Sequence, residues 1–230
     1  MKNIVILTGA GISAESGINT FRDSGGLWEG HDVMDVASPE GWRKNPELVL
    51  DFYNVRRKDA LKAQPNAAHL ALVELSKHFN VRIITQNVDD LHERAGSTDV
   101  LHLHGKLFES RSTINPRMIY PIDGWELKLG DKCPRGSQLR PNIVWFGEAV
   151  PLMDTAAAIA TTADILIVIG TSLQVYPAAS LIDYVDEEAE IFVIDPNLTI
   201  VKKYPKLTML AEKATTGTIQ VVNQLIEKYK

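Results

Sequence analysis

One cysteine, Cys133, stands in a chain of 230 residues, so no internal disulfide can form and the fold rests on non-covalent interactions. No apolar run approaches the roughly 20 residues that a bilayer-spanning helix requires. Neither sign of charge dominates. The formal net charge of −5 gives no electrostatic reason to expect nucleic acid or an anionic membrane as a partner. The opening Met1-Lys2-Asn3-Ile4-Val5-Ile6-Leu7 lacks the small-residue cleavage pattern of a secretory signal, so a reducing cytoplasm is the expected location. What is present is core-forming sequence. With 45% apolar residues, the chain can bury one large domain, or a domain with a smaller lobe.

Short β-branched runs at 4–7, 81–85, 100–103, 143–146, 165–169 and 191–194 alternate with stretches of helical period at 46–62, 67–78, 153–161, 178–185 and 219–228. That alternation predicts an α/β fold with a parallel sheet whose strands are covered on both faces. Two stretches break the rhythm. Residues 29–65 are rich in charge around one long helix, and residues 106–141 are dense in Gly, Pro and polar side chains. Both read as insertions that form a small lobe.

The first strand runs into Thr8-Gly9-Ala10-Gly11-Ile12-Ser13-Ala14, the strand, G-x-G-x-x-A, helix order of dinucleotide-binding folds. In that reading Gly9 permits a tight turn and Gly11 lets the backbone approach a pyrophosphate; a helix start with two turn glycines remains the simpler alternative. An ordinary dehydrogenase would add an acidic residue roughly 20 positions later, after a second strand. Here Glu29 and Asp32 occupy those positions with no strand before them. An NAD-dependent oxidoreductase is therefore the runner-up, with a non-catalytic NAD or ADP-ribose sensor as a third reading.

Six segments, in order, are similar to the sirtuin family of NAD-dependent protein deacylases: Gly9 to Ser13, Gly17 to Arg22, Thr85-Gln86-Asn87-Val88-Asp89, His102-Leu103-His104-Gly105, Val144-Trp145-Phe146-Gly147-Glu148 and Gly170-Thr171-Ser172. The resemblance implies a Rossmann-like, doubly wound parallel sheet. It assigns 1–28, 66–105 and 142–230 to an NAD-binding domain, and 29–65 and 106–141 to the small domain. NAD is the implied cofactor. The resemblance carries cofactor contacts onto Gly9, Ala10, Gly11, Ser13, Glu15, Phe21, Arg22, Trp28, Gln86, Asn87 and Asp89, and further along onto Gly170, Thr171, Ser172, Asp195, Asn197 and Ala214. Phe21 and Arg22 fall on a loop that closes over the cofactor, where Asn19 replaces the family's usual proline. Asp195 stands where an asparagine is usual for the adenosine ribose, with Asn197 as a substitute.

His102 and His104, two apart on a strand, share a face, and no third ligand at metal spacing accompanies them. By resemblance His104 is the catalytic base and Asn87 assists at the nicotinamide end, while His102 supports structure. The implied chemistry needs no nucleophilic side chain: an acyl oxygen attacks the ribose carbon as nicotinamide leaves, and His104 then takes a ribose proton. Val144, Phe146, Gly147, Glu148, Val175 and Tyr176 correspond to the segments on which sirtuins lay a substrate peptide as an added strand; a buried strand end is the alternative at 144–148.

Tyr53 and Arg56, three apart on a helix, can converge on one ligand. A guanidinium and a phenol suit a carboxylate, and Tyr-x-x-Arg resembles the signature of the sirtuin class that removes succinyl, malonyl or glutaryl groups. Arg57 and Lys58 read as solvated. Sirtuins typically hold a structural zinc with two Cys-x-x-Cys pairs. Here Ser112 and Asn115 align with the first pair, and Cys133 with Gly136 with the second. Zinc is not expected, and packing of Ile114, Met118, Ile119, Tyr120, Ile122, Trp125, Leu127 and Leu129 is expected to hold the lobe instead. Expected partners are acylated-lysine proteins or peptides, with no nucleic acid and no membrane, and the chain is expected to act as a monomer.

Overall fold

The computed structural model describes residues 1–19, 27–28, 30–198 and 204–230, with backbone alone at 27–28. The chain opens with β1 (Asn3–Thr8), α1 (Gly11–Ala14), the paired β2 (Leu27–Trp28) and β3 (His31–Asp32), then α2 (Val33–Val36) and α3 (Pro39–Lys44). There follow α4 (Pro46–Lys62), α5 (Ala67–Ser76), β4 (Asn80–Thr85), α6 (Leu91–Ala95) and β5 (Val100–His102). Next come β6 (Gly105–Ser112), β7 (Ile119–Pro121), β8 (Leu139–Ile143), α7 (Met153–Ala160) and β9 (Ile165–Ile169). A 3-10 helix (Ala178–Tyr184), β10 (Glu190–Ile194), β11 (Leu207–Leu210) and α8 (Ala214–Tyr229) complete the chain.

Six strands form a parallel sheet in the order β11-β10-β9-β1-β4-β5. The chain builds outward from β1 through β4 to β5, then returns to the other side of β1 and builds outward again. The order reverses between β1 and β9, the place where open α/β sheets bind ligands beyond the carboxyl ends of their strands. Alternate side chains feed two cores, as a two-residue period requires. Ile4, Ile6, Ile165, Ile167 and Ile169 pack with Leu72 and Leu75 of α5 and Val221 and Leu225 of α8. Val5, Leu7, Leu166 and Val168 face the opposite way, onto Ala156 and Ile159 of α7 and Leu181 and Ile182 of the 3-10 helix. No helix among the described residues is long and apolar enough to cross a membrane.

A separate antiparallel sheet, in the order β7-β6-β8, is built from the middle of the chain, and a third core joins it to α4 through Val49, Phe52, Tyr53, Leu107, Ile143 and Trp145. Several expectations change here. The run at 143–146 is not a strand of the parallel sheet: β8 ends at Ile143 and pairs antiparallel with β6. Periodicity over four apolar residues cannot tell those sheets apart. The eight-residue β6 is not among the expected strands, because Gly-Lys-Leu-Phe-Glu-Ser-Arg-Ser has little β-branched character. The last helix begins at Ala214, not 219, through a run of Thr and Gly with weak helix propensity. A tertiary contact holds its start, since the Thr215 backbone N–H and hydroxyl both donate to Glu15 Oε2, at 3.2 and 2.8 Å.

Arg57 is not a solvated side chain. It is fully buried and donates to Trp125 O at 2.7 Å, to Leu107 O at 3.1 Å and to Asn54 Oδ1 at 2.5 Å. Burial brings its pKa down to about 10, which leaves it charged at neutral pH. Asn54 completes the fastening by donating to Leu127 O and accepting from Leu127 N–H. The apolar core that joins this sheet to α4 is not made by the eight residues expected to pack there. Ile114, Ile119 and Leu129 are 64%, 47% and 52% exposed, and of the eight residues named for packing only Leu127 is buried. Buried hydrogen bonds from α4 hold that segment.

Candidate active site

A cavity of about 680 Å³ opens over the carboxyl ends of the parallel strands, a volume that suits a dinucleotide-sized ligand. Four loops reach it: 9–15 after β1, 86–89 after β4, 170–172 after β9 and 195–197 after β10. His104, Tyr53, Arg56, Val144, Phe146, Gly147, Glu148, Val175, Tyr176 and Ala214 line the same space. The expected contacts are thus together, apart from Phe21 and Arg22, which lie outside the described residues, and Trp28, whose side chain does too.

The glycines of the first loop also serve a packing purpose that the motif does not show. A Cβ on Gly9 would sit 2.7 Å from Gly170 O, and one on Gly11 would sit 2.6 Å from Gly170 Cα. Gly170 itself has φ +63, and a Cβ there would strike the Ile12 nitrogen. The N–H groups of Gly9 and Gly11 donate to Ile169 O and Gly170 O, so neither remains for a phosphate. These residues are small because two strand-end loops meet back to back, and that contact shapes one wall of the cavity.

Polar groups converge on the loop after β4. Asn87 Nδ2 donates to Ser13 Oγ, and Ser13 Oγ donates to Asp89 Oδ2, each at 3.1 Å. Burial raises the pKa of Asp89, against the hydrogen bonds from Leu91 N–H and Ser13. Two histidines hold the loop's backbone from one side. His104 Nδ1 donates to Gln86 O at 3.1 Å and His102 Nδ1 to Asn87 O at 2.9 Å. For His104 this fixes the tautomer: with the hydrogen on Nδ1, Nε2 carries a lone pair. Burial lowers its pKa, so the neutral base prevails at pH 7. His102 Nε2 lies 2.8 Å from Glu93 Oε1, so both its nitrogens face acceptors. Burial works against the Glu93 carboxylate, but hydrogen bonding to His102 and the charges of His102 and Lys106 hold it down to about 2.

At the end of the cavity formed by the loops after β9 and β10, Asp195 is buried and accepts from Asn197 N–H at 2.8 Å, while Asn197 itself is exposed. Thr171 Oγ1 accepts from Gln86 Nε2 at 3.1 Å. The Glu15 carboxylate that lines this end also caps α8.

At the other end, Tyr53 is fully buried yet lines the cavity wall, and its oxygen accepts from Trp145 Nε1 at 3.1 Å. Burial pushes its pKa up to about 12 despite the nearby Arg56 charge, so it stays a neutral phenol. Arg56, one turn on, is partly buried with its guanidinium 5.6 Å from the Phe52 ring. The segment 144–148 is not a free edge strand. Val144 N–H donates to His104 O and Phe146 N–H to Ala37 O, and Glu148 N–H closes a turn on Trp145 O. The Glu148 carboxylate is held by Arg111, Arg140 and Trp145 N–H, so neither it nor the Glu148 N–H is free for a substrate. Phe146 and Tyr176, 41% and 73% exposed, flank the mouth.

Cys133 is buried, with Sγ 3.1 Å from Ser137 Oγ and 3.6 Å from Ser112 Oγ, and the two hydroxyls are 2.7 Å apart. One thiol and two neutral hydroxyls do not fit the thiolate-rich donor set of a structural zinc. Among the described residues, no group of three or more His, Cys, Asp or Glu could hold a metal ion.

Sequence reasoning missed Trp145 as a partner of Tyr53, Glu93 as the anchor of His102, and Arg111 and Arg140 as the clamp on Glu148. None of these pairs has a local spacing that would reveal it. Trp145 stood inside a noted motif, and only a question about its indole N–H would have found its role.

A nucleotide-sized cavity at the reversal point of a doubly wound sheet, with a neutral histidine whose tautomer is fixed, defines an α/β enzyme of the dinucleotide-binding class. A sequence model of the Sir2 family matches residues 9–177. A protein of Helicobacter pylori strain J99, described as an NAD-dependent protein deacylase, is 56% identical over 229 residues, covering 99% of this chain and 97% of its own length. A Bacteroides thetaiotaomicron protein of the same description is 52% identical over 231 residues, covering 98% of this chain and 99% of its own. Among solved structures, a Sir2 homolog–NAD complex superposes with a TM-score of 0.89 at 40% identity, covering 100% of this chain and 91% of that one. The chain belongs to the Sir2 family.

Proposed function

We propose that this chain, an NAD-dependent protein deacylase, prefers lysines carrying acidic acyl groups, namely succinyl, malonyl or glutaryl, over acetyl-lysine. The observation that carries the preference is the Tyr53–Arg56 pair lining the cavity that His104 also lines. A phenol kept neutral by burial and a guanidinium together match a carboxylate at the far end of an acyl chain. Acetyl-lysine offers those groups nothing to bind.

NAD fits the cavity by volume and by the polar groups that converge there. When bound, it supplies the ribose carbon to which the acyl oxygen attaches as nicotinamide leaves, and the ribose hydroxyl that then takes over the acyl group. In this reading Ser13, Gln86, Asn87 and Asp89 hold the nicotinamide and its ribose, Thr171, Ser172 and Asp195 the phosphates and adenosine. His104 Nε2 takes the proton of a ribose hydroxyl, directly or by relay, with its Nδ1–H anchored on Gln86 O. Phe146, Gly147, Glu148, Val175 and Tyr176 receive an acylated-lysine protein or peptide, mainly through backbone groups. Residues 29–65 and 106–141 act as a small lobe that needs no zinc, and the enzyme works as a monomer in the cytoplasm.

The deciding experiment incubates NAD with acetyl-lysine and succinyl-lysine peptides, using wild-type protein and His104→Ala, and follows peptide mass and nicotinamide release. Faster loss of succinyl than acetyl, one nicotinamide per lysine freed, and an inactive variant are expected. Equal rates on both peptides would remove the acyl preference, and no nicotinamide release would remove the reaction itself.

A further inference from the structure

Trp145 belongs to the segment that borders the cleft, yet its side chain does not enter the chemistry assigned above. It is 2% exposed and fixed on every side. The Arg140 guanidinium lies 3.2 Å from its ring centroid, held there by two bonds to Glu148 and one to Ile143 O. Its backbone N–H donates to the same Glu148 carboxylate at 2.9 Å, and the Trp42 ring lies 5.8 Å away. An indole so confined has one polar atom, Nε1–H, and that atom donates to Tyr53 Oη.

A phenol has one hydrogen to give and two lone pairs to offer. Since Trp145 occupies a lone pair, the phenolic hydrogen must point elsewhere, and Tyr53 donates to no acceptor of the chain among the described residues. Tyr53 lines the cavity beside Arg56. Accepting a hydrogen bond also makes a hydroxyl a stronger donor, since chained hydrogen bonds polarise one another. We infer that Trp145 is a specificity-determining positioning residue: by donating to Tyr53 Oη it turns the phenolic hydrogen into the cavity, toward the terminal carboxylate of an acidic acyl group. The inference rests on the acidic-acyl reading above. It makes the preference a property of three residues, Tyr53, Arg56 and Trp145, the last contributed by the stretch after β8. Arg140, which lies over the indole, comes from β8, and Arg111, which shares its Glu148 partner, from β6, so the antiparallel sheet takes part in acyl selection.

The test is a cycle of Trp145→Phe and Tyr53→Phe, read as the ratio of kcat/KM for a succinyl-lysine peptide to that for the matching acetyl-lysine peptide. Trp145→Phe keeps an aromatic ring and removes the donor. Alone it should lower the ratio about tenfold, the worth of an oriented hydrogen bond to a charged group. In the Tyr53→Phe background it should change the ratio less than twofold, because there is no hydroxyl left to orient. An equal drop in both backgrounds, or no drop in either, overturns the inference. A wild-type ratio at or below one overturns instead the acidic-acyl reading, and the inference with it. A second measurement does not depend on the folding of Trp145→Phe. In Tyr53→Phe, the Trp145 indole N–H resonance should shift and exchange faster with solvent; an unchanged resonance would show that the bond to Tyr53 does not form.

Discussion

Replacing Arg56 by Met removes a charge while keeping much of the side chain's apolar length. Arg56 follows Tyr53 by three residues on α4, an angular separation of about 60° at a rise of roughly 4.5 Å, so both side chains address the same region. Removing one partner of a buried, hydrogen-bonded charge pair costs about 2–5 kcal/mol. The Arg56 side chain is only partly buried and the cavity is open, so the lower part of that range, about 2–3 kcal/mol, is appropriate. At about 1.4 kcal/mol per factor of ten, kcat/KM for succinyl-lysine should fall roughly 30- to 150-fold. Acetyl-lysine has no carboxylate to lose, and should fall by no more than about threefold through altered packing against Phe52. Parallel progress curves on the two peptides, followed by mass, measure both values at one enzyme concentration. Equal losses would refute the reasoning, because they would mean that Arg56 supports the fold or the cofactor rather than an acyl carboxylate.

Two further outcomes follow from the buried groups. Burial lowers the pKa of His69 to about 4 and that of His92 to about 3, against an ordinary 6.5. The unfolded chain takes up protons below about pH 6.5 that the folded chain refuses. Their contribution is therefore complete above that pH and is lost progressively as pH falls toward 4 and 3. The thermal midpoint should hold steady above about pH 6.5 and drop below it; a midpoint that rises on acidification would contradict this. In the small lobe, purified protein should carry far less than one zinc per chain, and a chelator should leave the midpoint unchanged, while Ser112→Ala should lower stability by about 1 kcal/mol through loss of its buried hydrogen bonds. Stoichiometric metal, or unfolding by the chelator, would reverse the account of Cys133.

How far the sequence could be read depended on the range of the interaction. The strand at 165–169 was legible to the residue because a two-sided apolar strand is a local pattern. The same holds for α4, whose Asn45 cap accepts from Leu48 N–H and is followed by Pro46. The run at 143–146 looked equally plain and was misassigned, since which sheet a short strand joins depends on residues far away. Arg57 was misread because nothing in its neighbours announces that carbonyls of Leu107 and Trp125 will surround it.

The candidate site divides along the same line. Glycine loops, the Gln-Asn-x-Asp loop, the His-Gly pair and Tyr-x-x-Arg are each short enough to be written in consecutive residues, and by themselves they determined the family and the chemistry. The tertiary structure decided how those groups are set. It showed that Gly9 and Gly11 make room for Gly170, that a backbone carbonyl fixes the tautomer of His104, that the Trp145 indole donates to Tyr53, and that Arg57 with Asn54 fastens the segment at Trp125 and Leu127. The physical reason is that residue types specify which bonds can form, whereas a hydrogen bond between residues 92 positions apart, as from Trp145 to Tyr53, forms only once the folded chain has brought donor and acceptor together.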